Sequence, residues 1–248
     1  MRLSYYALTH KGLVRSENQD TFLVFSPKNQ GLMGEKGLLF LVADGAGGHE
    51  EGALASRLAA ETIRDYYFGL HQCPPQEALK KAISEAHEKI KKLAEEKNIY
   101  MATTVTALIA WQQYGLIGHV GDSRLYLLRN KLLSLLTKDH TLVEELVDQK
   151  VISREEARKH PQRNVLTQAL GIRIDPLIRT FPLQPYDILL LSTDGLHDYV
   201  SEEEIKEILL KYPPKEAGQN LIQRALDAGG YDNITAIVIH CLDNDTKS

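Results

Sequence analysis

Apolar positions change period several times along this chain, and the changes mark out its elements. Residues 3–9 and 20–25 are strand-like, and Gly37 to Ala43 is an unbroken apolar run of strand length. Two helical stripes follow. Ala55, Ala59, Ile63, Tyr66 and Tyr67 share one face. Leu79, Ala82, Ile83, Ala86, Ile90, Leu93 and Ala94 share another, with lysines and glutamates opposite, which reads as core packing rather than a cofactor site. Strands return at 103–111, 114–120, 123–129 and 132–136. The turn signals between them, Gln112-Gln113, Gly121-Asp122 and Asn130, are spaced as in an antiparallel meander. Helices are predicted at 141–149 and 153–159, strands at 177–182 and 186–192, helices at 201–210 and 214–228, and a last strand at 234–240. Pro74-Pro75 and Pro213-Pro214 each precede a helical pattern, where proline suits the first turn. Long helix pairs between blocks of antiparallel strands predict an α+β fold in layers, with helices outside two sheets. No linker, repeat or low-complexity stretch interrupts the pattern, so one domain is expected over residues 1–241, with a short polar tail at 242–248.

Composition narrows the function classes. At 43% hydrophobic and 25% charged over 248 residues, the chain is neither disordered nor collagen-like and has ample material for a core. Lys plus Arg number 29 against 33 Asp plus Glu, a net charge of −4 that argues against nucleic-acid binding. An anionic substrate stays open, because metal ions can supply positive charge. Cys73 and Cys241 make neither a disulfide framework nor a zinc spacing, which fits a reducing compartment. Met1-Arg2-Leu3-Ser4-Tyr5-Tyr6 lacks the apolar stretch of a signal peptide, and residues 38–43 and 188–191 are too short to span a bilayer. A cytoplasmic monomer without nucleic-acid or membrane partners is the expectation.

The placement of aspartates carries the chemistry. Asp44-Gly45 follows the run 38–43, Gly121-Asp122 follows 116–120, and Asp194-Gly195 follows 188–193. Gly229-Gly230-Tyr231-Asp232-Asn233 precedes the strand beginning at Ile234. Each pair alone reads as a hairpin turn, with a glycine that lets the backbone bend. Asp44-Gly45, however, leads into a helical pattern, and Asp194-Gly195 precedes Leu196-His197-Asp198, so neither runs into a returning strand. Strand ends bring sequence-distant carboxylates to one rim of a sheet. Such a cluster is tolerable only when protonated or neutralised, and hard divalent ions such as magnesium or manganese are its natural partners. Gly45-Ala46-Gly47-Gly48 imitates a dinucleotide-binding loop, but Glu50 stands at the sixth position and Asp44 lies where pyrophosphate would, which excludes that reading.

With these residues in view, the chain resembles the metal-dependent serine/threonine protein phosphatases of the PP2C (PPM) family, bacterial type. Five motifs match in order. They are Arg15-Ser16-Glu17-Asn18-Gln19-Asp20, the stretch from Val42 to His49 with Gly52 and Ala55-Ser56 downstream, the stretch from His119 to Tyr126, Ser192-Thr193-Asp194-Gly195-Leu196, and the stretch from Gly230 to Thr235. Residues 136–140 and 160–166 resemble the family's flap region.

The resemblance implies a four-layer αββα sandwich, two antiparallel sheets flanked by helix pairs. It implies two Mn2+ or Mg2+ ions bridged by Asp44, with the Gly45 carbonyl on one and Asp194 and Asp232 on the other. Asp20 would hold metal-bound water, and Asp122 would serve a third, weaker site together with Asp194. Arg15 would hold the substrate phosphate. The implied reaction is hydrolysis of phosphoserine and phosphothreonine in proteins that a serine/threonine kinase has modified, by in-line attack of a hydroxide bridging the ions. Two alternatives carry the same fold: a catalytically inactive module that binds phosphoproteins, and a regulator-specific phosphatase in a sigma-factor switch, which is expected to carry a sensor domain. Ala46 stands where bacterial relatives have methionine, Ala102 where glycine is usual, and Gln168 at a position that is often arginine. No general acid is assigned: His49 is expected to be structural or to act through a neighbour, and His10, His71, His87 and His240 to be ordinary. Asp139 is expected to cap the helix starting near Thr141. Asn164 is placed near the third ion by the resemblance alone.

Overall fold

Strands covered on both faces need apolar side chains at nearly every position, and the chain meets that need twice. A computed structural model describes residues 2–28, 30–48, 50–70 and 72–243, apart from the side chains of Gln30, Leu32, Met33 and Arg158. His49, His71 and most of the expected tail lie outside the described residues. The first elements are β1 (Arg2–His10), β2 (Asp20–Phe25), α1 (Gln30–Lys36), β3 (Leu38–Gly47), α2 (Glu51–Gly69) and α3 (Pro75–Lys97). Next come β4 (Met101–Thr103), β5 (Val105–Trp111), β6 (Tyr114–Val120), β7 (Arg124–Arg129), β8 (Leu132–Leu135), α4 (Leu142–Asp148) and α5 (Arg154–Lys159). The chain continues through β9 (Leu177–Pro182), β10 (Ile188–Ser192), α6 (Asp194–His197), α7 (Glu202–Lys211), α8 (Pro214–Asp227) and β11 (Ile234–Leu242).

Two antiparallel sheets result, ordered β1-β11-β10-β7-β8 and β2-β3-β5-β6-β9, with β4 paired to the far end of β3. Alternation within each strand assigns its side chains to two cores. Leu39, Leu41 and Ala43 of β3 face α2 and α3, where they meet Ala55, Ala59, Ile63, Leu79, Ile83 and Ile90. Phe40 and Val42 point the other way, into a core between the sheets with Leu125, Leu189, Leu191, Ile237 and Ile239. Tyr126, Leu190, Ala236 and Val238 pack on the outer side of the second sheet against α7 and α8. The layers are therefore helices, sheet, sheet, helices. α7 opens with a capping box, the Ser201 hydroxyl accepting from the Glu204 amide while the Glu204 carboxylate accepts from the Ser201 amide.

Four expectations are corrected. The run 114–136 is no meander: β6 pairs with β9 in one sheet and β7 with β10 in the other, so Gly121-Asp122-Ser123 crosses between sheets. Asp44 is not at a strand end, because β3 runs on to Gly47 against β4. α1 and the single turn α6 lack an apolar stripe and were not expected, and α1 contains Gly31 and Gly34. Leu242 belongs to β11, paired with Arg2, and not to a tail.

Candidate functional site

Both sheets end at one cleft of about 500 Å³, lined in part by Arg15, Asp44, Gly45, Asp122, Asp194 and Asp232. The first sheet contributes a directly opposed pair, since Asp20 of β2 and Asp44 of β3 are register partners. Asp44 is locked through its backbone. Its amide donates to the Thr104 hydroxyl at 2.9 Å, and its carbonyl accepts from the Thr103 hydroxyl at 2.8 Å and the Thr104 amide at 2.9 Å.

Asp20 is held from the other sheet. The hydroxyls of Thr193 and Thr235 donate to its Oδ2 at 2.8 and 2.6 Å. Because Thr235 spends its proton on Asp20, Thr9 must donate to Thr235 across 2.8 Å, and Thr9 in turn accepts from the Asn18 amide group at 2.9 Å. One carboxylate oxygen is saturated by this chain, and Oδ1 is left buried without a partner.

Asp122 rides the crossover between sheets, where Gly121 takes φ +105°, a region open to glycine. Asp194 opens α6, and its Oδ1 is also buried and unpartnered. Asp232 precedes β11 and accepts from the Asn233 amide at 2.9 Å. Asn233 is the fastener of the rim: it accepts from the Gln19 amide and donates to the carbonyls of Lys11 and Glu17, each at 2.8 Å. Sequence reasoning assigned no role to Asn18, Thr193, Asn233 or Thr235, although all lie within or beside the matched motifs.

The glycines beside Asp44 and Asp194 are not there for bending. A Cβ on Gly45 would stand 2.0 Å from the Gly52 carbonyl oxygen, and one on Gly195 would stand 2.0 Å from that of Asn233. Both positions demand glycine because two backbones touch.

Charge is concentrated here. Burial drives the Asp44 and Asp194 carboxyls well above the usual range, and the neighbouring aspartates push them further. Asp20 rises to about 7, again through burial first, although its two hydroxyl donors pull it down. Asp122 also reaches about 7, from burial and then from Asp139 and Asp198. Among the described residues no three His, Cys, Asp or Glu groups converge as a ready-made cation cage. The donors are spread along the cleft, all of them oxygen, with unpartnered atoms on Asp20 and Asp194. That set fits hard divalent ions that keep part of their water shell.

Arg15 is expected to meet phosphate alone, but here its Nη2 donates to Asp232 Oδ2 at 2.7 Å, and this bond raises its pKa further. The reading of Asp139 as a helix cap is corrected. Thr141 caps α4, accepting from the Glu144 amide at 3.3 Å, while Asp139 takes the fork of Arg124 at 3.0 and 2.6 Å. A half-buried guanidinium offers a carboxylate two charge-assisted bonds, more than one amide can. Asn164 and Leu166 of the flap-like segment line the cleft, and Arg163 approaches Asp198 at 3.9 Å. Gln168 instead accepts from the Asp175 amide at 2.6 Å. Ala46 and Ala102, two departures from the bacterial pattern, are register partners. His10 and His87 accept from the amides of Gly12 and Gly171, as ordinary histidines do.

The four-layer αββα sandwich with aspartates gathered where its two sheets meet is that of a known family: the model of the family described as protein phosphatase 2C matches residues 14–227. The chain belongs to that family. It is 38% identical over 240 residues to the serine/threonine phosphatase stp of Listeria innocua, covering 93% of each chain. The catalytic domain of the serine/threonine protein phosphatase PstP, solved in complex with two manganese ions, superimposes with a TM-score of 0.83 at 34% identity, covering 97% of this chain and 99% of that one. The serine/threonine phosphatase Stp1 from Staphylococcus aureus gives a TM-score of 0.88 at 32% identity, covering 98% and 96%.

Proposed function

We propose that this chain hydrolyses phosphoserine and phosphothreonine in proteins with the help of Mn2+ or Mg2+. The observation that carries the reading is that Asp44, Asp122, Asp194 and Asp232 line one cleft, with Asp20 opposite Asp44 in register, and that Asp20 and Asp194 each keep a carboxylate oxygen without a partner. Asp44, the Gly45 carbonyl, Asp194 and Asp232 would hold two ions, and Asp122 a third, weaker one beside Asp194. When bound, the ions lower the pKa of water and screen the charge of a phosphomonoester.

The protein's own groups do the rest. Arg15 leaves Asp232 for the substrate and orients its phosphate through a planar fork. Asp20, with Oδ2 committed to two hydroxyls and Oδ1 without a partner, would hold metal-bound water. Residues 2–242, from β1 through β11, act as one phosphatase unit. The substrates are proteins phosphorylated by a serine/threonine kinase, and the enzyme works as a monomer in the cytoplasm. Free Cys73 and Cys241 support a reducing compartment, and no described helix is long and apolar enough to cross a membrane.

The test is turnover of a phosphothreonine peptide after exhaustive chelation and after Mn2+ is restored. Activity should vanish and return. Full activity in the chelated protein would overturn the reading.

A further inference from the structure

Two loops meet beside Arg15, and both present apolar side chains to solvent. On the β1–β2 loop, Leu13 is 67% exposed and Val14 63%. On the loop before β11, Tyr231 is 54% exposed, its ring tilted against Tyr199 with centroids 5.5 Å apart. Exposed apolar residues scattered singly need no explanation, but neighbouring ones on a rigid edge do.

This edge is rigid. The amides of Leu13 and Val14 both donate to the Gly230 carbonyl, at 2.7 and 3.3 Å. Gly12 takes φ +81°, and a Cβ there would stand 2.2 Å from the Asp232 carbonyl oxygen, so the loops interlock through a contact that admits only glycine. The Arg15–Asp232 ion pair closes the same junction from the cleft side. Apolar side chains thus stand beside the phosphate-binding arginine, within two residues of Arg15 and one of Asp232. A pinned backbone loses little freedom when a ligand covers it.

An extended peptide advances roughly 3.3–3.6 Å per residue. With its phosphate on Arg15, residues one or two positions away come within reach of Leu13, Val14 or the Tyr231 ring. We infer that Leu13, Val14 and Tyr231 form a shelf that receives an aliphatic or aromatic side chain flanking the phosphorylated residue, so that the enzyme selects phosphosites with apolar neighbours. The inference rests on the phosphatase reading and adds the sequence class of the substrate.

The experiment compares phosphothreonine peptides flanked by leucine or phenylalanine, by glutamate, and by glycine, each with saturating Mn2+. The wild-type protein should turn over the apolar-flanked peptides with kcat/KM about five- to tenfold above the glycine-flanked one, mostly through KM. The double variant Leu13→Ser, Val14→Ser, and separately Tyr231→Ser, should shrink that ratio to about twofold while hydrolysing the glycine-flanked peptide as the wild type does. Equal rates on all peptides, or variants that keep the full preference, would overturn the shelf and leave the phosphatase reading standing. Failure to hydrolyse any of the peptides would overturn both.

Discussion

Arg15 and Asp20 show how single residues in this site are committed before substrate arrives. Arg15 is parked on Asp232, a group proposed above to hold a cation, so in that reading guanidinium and metal compete for one carboxylate. Arg15→Ala should therefore lower kcat/KM on a phosphopeptide by about 2 kcal/mol, roughly thirtyfold, the value of a charge-assisted hydrogen bond. The same variant should bind Mn2+ at least as tightly as wild type in calorimetry. A weaker Mn2+ isotherm would mean that Arg15 supports the carboxylates instead of competing for one. Asp20 depends on hydroxyls that arrive from the other sheet. Thr235→Val keeps the shape but removes one donor to Oδ2, and should slow turnover at least tenfold, a loss of about 1.4 kcal/mol. Thr235→Ser, which restores the donor, should recover most of the rate. Equal rates for the valine and serine variants would show that packing, not the hydroxyl, is what position 235 contributes.

At the scale of elements, β6 carries a titratable group that the reaction does not use. His119 is fully buried, its Nε2 donating to the Lys138 carbonyl at 2.9 Å and its ring 4.8 Å from that of His140. Burial, with help from His140, pulls its pKa down to about 4. The folded state holds this imidazole neutral while the unfolded chain protonates it below about 6.5, so its contribution is complete above 6.5 and lost as pH falls toward 4. Urea denaturation at pH 7 and pH 4.5 should show wild type losing about 2–3 kcal/mol more than His119→Gln. Parallel losses would place the acid sensitivity elsewhere. Strand and helix periods were legible wherever one side of an element differs from the other, as in β2, β9, α2 and α3. Connections between sheets were not. Nothing in Gly121-Asp122-Ser123 distinguishes a crossover from a hairpin, because both need the positive φ that Gly121 supplies. Asp44, Asp122, Asp194 and Asp232 were legible as a set because glycines mark their backbones, whereas Asp20, with no glycine beside it, came from the family resemblance. Their holders Thr193, Thr235 and Asn233 were not, since a threonine in a buried strand reads equally well as β-branched packing.

The molecule as a whole joins its two sheets through the Phe40 and Ile237 core and through the carboxylates at the cleft. Without cations those carboxylates repel one another, so metal binding stabilises the fold as well as the reaction. At about a hundred times its Kd, Mn2+ should add about 2.7 kcal/mol and raise Tm by roughly 5–10 °C in a calorimetric scan. Asp44→Asn should abolish most of that rise and Asp122→Asn little of it; the reverse order would overturn the proposed assignment of Asp44 to the main metal site. The order of strands also has a temporal side. β11, the last strand, inserts between β1 and β10. The Thr9–Thr235 contact spans 226 positions, and the Asp20 carboxylate draws its donors from 173 and 215 positions further on. On a ribosome adding roughly 5–20 residues per second, β1 waits roughly 10–45 s for its neighbour. The sheet containing β2, β3, β5 and β6 closes from nearby partners in the meantime. A nascent chain therefore has no working site at any intermediate length, and dephosphorylation begins only after the last strand has emerged and docked.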